Sequence, residues 1–88
     1  MTDSEILTIL KTDLNISVNS RDQYLTQLIT AGKEFIKTEG IILTDSIGDG
    51  MLVEMYAAYL FRKRNENQDA MPRYLRWALN NRLFSQEK

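Results

Sequence analysis

The densest apolar stretch of the chain runs from Met51 to Phe61 and carries one charge, Glu54. At about 100° per residue, Leu52, Met55, Tyr56, Tyr59 and Leu60 share one broad helical face. Val53 lies at its edge, and Ala57, Ala58 and Phe61 make a second, flatter apolar side beside Glu54. A helix that is apolar nearly all round is buried against several neighbours. The pattern predicts a central helix over about 50–64. It closes in the basic cluster Arg62, Lys63 and Arg64, where cations meet the negative end of the helix dipole.

Two helices are predicted before it and one after. Ile6, Leu7, Leu10 and Leu14 form a narrow stripe over Asp3–Leu14, and Thr2 with Glu5 has the spacing of a capping box. The segment 15–19 then breaks the period with short polar side chains that favour a turn. Ser20 and Gln23 make a second capping pair. They open a helix whose apolar half is Tyr24, Leu25, Leu28, Ile29, Ala31, Gly32, Phe35 and Ile36. Gly32, amid that face, predicts a close helix crossing, and Gly40 stands in the usual C′ position. The last helix starts with Pro72 as N1. Leu75, Leu79 and Leu83 are its main stripe. Trp77 and Phe84 form a second stripe more than about 90° away, flanked by Arg73, Arg76 and Asn80. The tail 85–88 is expected to fray.

Between the long helices lies GIILTDSIGDG, with three of the four glycines. Ile41, Ile42 and Leu43 suit a short extended arm, and Ser46 or Asp49 can cap the central helix. A calcium loop starting at Asp45 fails, because Ile47 falls on a ligand position and Tyr56 replaces the bidentate Glu. A phosphate loop fails on spacing and lacks the Lys-Ser/Thr pair. The expected fold is all-α: a small bundle of about four helices in one domain, 1–88, with a loop or arm at 40–49.

Composition narrows the chemistry. With 88 residues the chain makes one small domain, and no Cys or His means no disulfide, thiolate zinc site or histidine catalysis. No nucleophile–base pair, metal cluster or catalytic loop stands out, so the expectation is no enzyme and no cofactor. No basic region with a cleavage site marks a signal peptide, and the apolar core of the central helix is about half a bilayer span, so no membrane contact is expected. Net charge is −1 but unevenly spread. Residues 1–60 hold nine acids against four bases; residues 61–88 hold seven bases against three acids. Helix-end preferences account for this, or one end of the molecule attracts an acidic surface, nucleic acid or a second copy.

Three features stay open between structure and interaction. Glu54 is either a charge at the solvated margin of the central helix or half of an inter-subunit ion pair. Trp77 is either a core anchor or, with Phe84, part of a partner surface. The candidate subunit interface is Glu54, Ala57, Ala58 and Phe61 on one side and Arg73, Arg76, Trp77 and Phe84 on the other. Arg62, Lys63 and Arg64 are the candidate basic patch.

Four stretches carry a family resemblance: ILTILKTDLNI, DQYLTQLITAGKEFIKTEGI, VEMYAAYLFRKR and MPRYLRWALNNRL. In this order the chain resembles the phage head–tail connector family, small helical DNA-packaging proteins. The resemblance implies a homo-oligomeric ring in the virion, assembled in the bacterial host cytoplasm. It would stack beneath the portal protein, pass DNA non-specifically and present a surface to tail-completion proteins. In the family the stretch between the long helices can be much longer than the ten or so residues after Gly40. The alternative is a small helical binding module that uses its basic C-terminal third on nucleic acid.

Overall fold

The computed structural model describes residues 1–67 and 69–86. Four helices follow one another: α1 (Asp3–Asp13), α2 (Asp22–Thr38), α3 (Ile47–Asn65) and α4 (Arg73–Gln86). No strand occurs among the described residues, so the small all-α bundle holds. α3 is the hub, with α1, α2 and α4 all packed on it and α1 also on α2. Its buried set runs right round the helix: Leu52, Val53, Glu54, Tyr56, Ala57, Ala58, Tyr59 and Phe61. Met55 and Leu60, assigned to its main face, are only half-buried.

The helix ends follow local chemistry, with one exception. Thr2 and Glu5 form both bonds of the capping box at the start of α1. At its end Asn15 turns left-handed, φ 59°. Its N–H reaches the Thr12 carbonyl at 3.2 Å while that of Ile16 reaches Lys11 at 2.9 Å, the paired closure of a Schellman motif. Gly40, φ 97°, ends α2 in the same conformation. The exception is Ser20. α2 starts two residues later, and its N-cap, Arg21, makes no side-chain cap bond. The end is held instead by Lys11, whose ammonium bridges Asn19 at 2.9 Å and Asp22 at 2.8 Å.

α3 starts earlier than its apolar run. Ser46 caps it by accepting the Asp49 N–H at 3.1 Å, so Gly48 and Gly50 lie inside the first turns. Asp49 is thereby released from capping for the role described below. Ile41, Ile42 and Leu43 form no strand; Ile41 is buried and Ile42 stands out in solvent.

Gly32 lies where α2 crosses α3. A Cβ there would sit 3.6 Å from the Ala57 nitrogen, the Val53 carbonyl and the Tyr56 Cβ. That is ordinary contact with a backbone, so a methyl fits and a larger side chain does not. Phe35, half exposed, uses its inner face to stack on Tyr56, ring centres 5.8 Å apart.

α4 is anchored by apolar and polar contacts together. Leu75 and Leu79 are fully buried and Leu83 half-buried. Its first turn closes on the Pro72 carbonyl, bonded by the Leu75 and Arg76 N–H groups at 3.1 and 3.2 Å. Gln86 spans the 40–42 backbone, donating to the Gly40 carbonyl at 2.6 Å and accepting from the Ile42 N–H at 2.7 Å.

Candidate interaction surface

Two places stand out after the core is accounted for. One is the outward face of α4. Taking Leu75 and Leu79 as inward, the opposite side of the helix carries Arg73, Trp77, Asn81 and Phe84, within roughly 80° of one another. Trp77 is 71% exposed and Phe84 68%, with Tyr74 beside them at 52%. Trp77 is therefore no core anchor. The leucine side alone accounts for how α4 packs, so these exposed aromatics are a candidate contact surface.

The second place is a groove between α1 and α3. Thr8, Ile9, Thr12 and Asp13 line one side, and Met51 and Glu54 the other, around an open space of about 340 Å³. Glu54 is only 3% exposed, and its Oε2 atom has no hydrogen-bond partner. Burial raises its pKa first; the neighbouring Asp13, by hydrogen bonding and by charge, raises it further, and Arg62 opposes them. The outcome is a carboxyl group pushed up to about 7, so it is poised between neutral and charged in ordinary solution.

These placements correct part of the candidate interface. Glu54 is no charge at a solvated margin; α1 covers it. Ala57, Ala58 and Phe61 are at most 6% exposed, enclosed by the monomer's own helices, and form no contact surface. The physical reason is that α3 is covered from three directions, so its flatter apolar side is used internally. Phe61 lies against Tyr24, ring centres 6.3 Å apart, with the Arg21 guanidinium over its ring.

The charge asymmetry also has an internal use. Arg82 forms a two-pronged ion pair with the buried Asp49, Nε to Oδ1 at 2.7 Å and Nη2 to Oδ2 at 3.1 Å. Burial works against the charge on Asp49. Arg82 and the N–H and hydroxyl of Thr44 outweigh it, so its pKa lies below the usual carboxylate range. Arg76 pairs with Glu39 at 2.9 Å. Two bases of the C-terminal third thus tie α4 to acids of the first sixty residues, and Arg76 stays exposed while so paired. Arg73 stays exposed on the stripe. In the basic cluster Arg62 is half-buried, and Lys63 lies over the Tyr59 ring, 5.9 Å from its centre. Lys88 lies outside the described residues.

Asp13, Thr8, Ile9, Thr12 and Met51 were not singled out by sequence reasoning. The available signal was the one charge in the apolar run, Glu54, which needed a polar neighbour from another helix. Among the described residues no group of three metal-ligating side chains occurs, and no helix is long and apolar enough to cross a membrane. In comparison with known proteins, the chain matches no family model, no curated protein and no solved structure.

Proposed function

We propose that this protein is a structural assembly subunit that works by binding copies of itself and larger partners, as a head–tail connector of a tailed phage would. The observation that carries the reading is the solvent-facing aromatic stripe Trp77–Phe84 with Arg73 at its start, opposite the buried leucines of α4. Aromatics and Arg are the side chains most often found as interface anchors. The sequence resemblance supplies the specific setting, a homo-oligomeric ring beneath a portal with DNA passing through it.

The nucleic-acid-binding module is the weaker reading. Arg76 and Arg82 are spent on intrachain ion pairs, which lowers the number of cations available to phosphates. Native mass measurement of the protein, alone and mixed with a portal ring, tests the connector reading. An oligomer at a fixed multiple of 10.2 kDa supports it. Monomer in both samples, with duplex DNA binding that falls steeply with salt, overturns it in favour of the binding module.

A further inference from the structure

The groove between α1 and α3 is electrostatically incomplete in a single chain. Its floor is Glu54, 3% exposed, with Oε2 unpartnered. A carboxylate that deep is ordinarily met by a cation or by hydrogen-bond donors. Within the chain its one close polar neighbour is Asp13, and Oε2 is left without a partner. Thr8 and Thr12 donate their hydroxyl protons to the Ser4 and Thr8 carbonyls, at 3.0 and 3.1 Å. Asp13 is a second acid. Arg62 acts on Glu54 by charge, with no hydrogen bond between them.

The lining selects the kind of cation that would fit. Two carboxylates are too few oxygen ligands for a bare divalent ion. Ile9 and Met51, both half-buried, offer apolar contact instead. Apolar walls above a pair of carboxylates suit a long aliphatic stem ending in a guanidinium, whose fork matches carboxylate geometry.

The outward stripe of α4 has the complementary composition. Arg73 is exposed and, among the described residues, has no acidic partner. Trp77 follows one turn later on the same face, as Glu54 follows Met51 on α3 by about one turn. The stripe points away from the core, so a chain cannot bring its own Arg73 to its own groove. A second copy can.

We propose that the α1–α3 groove is a socket for Arg73 of a second copy of this chain, whose guanidinium pairs with the exposed Asp13 and lies over the buried Glu54 while its Trp77 covers Ile9 and Met51. The inference rests on the self-assembly reading above and names its contact. One copy's socket meets the next copy's stripe, so each pair leaves one socket and one stripe free. Repetition of such a head-to-tail contact closes a ring or grows a filament.

Sedimentation equilibrium on the full chain tests it, with wild type, Asp13→Lys and Arg73→Glu. Both positions are exposed, and the helix dipoles favour both replacements: a cation at the end of α1 and an anion at the start of α4. Each single variant should self-associate about tenfold more weakly or worse, as close interfacial charge pairs do when reversed. An equal mixture of the two should recover association at roughly wild-type strength. In that mixture Arg73 of the first variant meets the unaltered groove of the second. Glu54→Gln supplies an independent readout: it should weaken association while raising the melting temperature of the monomer at pH 8. If wild type associates but the single variants do so equally well, or the mixture is no tighter than either alone, the socket is wrong and self-assembly stands. If wild type is monomeric at every concentration, alone and with a portal ring, both fall.

Discussion

Glu54 costs the monomer stability when it ionises, and the sign of that effect is fixed. Its folded pKa lies above its unfolded value, about 7 against 4.5. The folded state therefore holds a proton that the unfolded state releases, and this contribution is fully present below pH 4.5. It is lost as pH rises through 7. A shift of this size corresponds to about 1–3 kcal/mol. Thermal melts should thus show wild type losing stability between pH 5 and pH 8, with Glu54→Gln flatter and higher at pH 8. Parallel curves for the two proteins would mean the carboxyl group is solvated. Gly32 gives a second residue-scale test. Ala at this position meets only ordinary contacts and gains helix propensity, about 0.5–1 kcal/mol. Leu must push into the α3 backbone and should cost about 1–3 kcal/mol. Opposite signs for the two substitutions in urea melts locate the crossing; a stabilised Leu variant would place Gly32 at the surface.

At the scale of elements, α4 is attached by apolar burial and by polar ties together. Two leucines are fully buried, and the rest of its hold is Arg82 on Asp49, Arg76 on Glu39 and Gln86 on the 40–42 backbone. Asp49 is 4% exposed, so removing Arg82 strands a buried carboxylate, which typically costs about 3–5 kcal/mol. For a chain this small that is a large share of the total stability. Arg82→Ala should release α4 first, seen as loss of amide protection over 73–86 before 22–38. Replacing both partners, Asp49→Asn with Arg82→Met, should recover much of the loss, because no lone charge remains. The acid side has a definite direction too. The folded pKa of Asp49 is depressed, so the stability it contributes is present above its unfolded value near 3.8. It disappears as pH falls through the folded one. Equal protection of α4 and α2 in Arg82→Ala would show the ion pair to be incidental.

For the whole molecule, the 42 × 28 × 18 Å body places its aromatic stripe on the outside of its last helix. Trp77→Ala should weaken self-association by about tenfold or more, in the range of an interface anchor, while helix content measured by circular dichroism stays near wild type. High salt should weaken association less than the Trp77 substitution does, since screening reaches the charges and not the apolar contact. A drop in helix content with Trp77→Ala would return this residue to the fold and remove it from the interface.

Much of the fold was legible along the chain because its causes are local. Capping chemistry at Thr2 and Glu5, the left-handed stop at Gly40 and the 3.6-residue stripes of α1 and α2 act within one or two turns. The apolar run from Met51 to Phe61 was enough to make α3 the hub. Other features were beyond sequence periodicity. Trp77 and Leu79 are both large and mainly apolar, and only the choice of which side of α4 meets α3 sends one out and the other in. Arg82 and Asp49 lie 33 residues apart, so no local spacing pairs them. The sequence marked Glu54 as the odd charge of an apolar helix but not its depth. α1 decided that by closing over it, which sets Asp13 alongside and makes a hydrated charge into a buried acid. Helix identity is written in neighbouring residues. Which faces meet, and which charges they trap, is settled only when four helices compete for the same core.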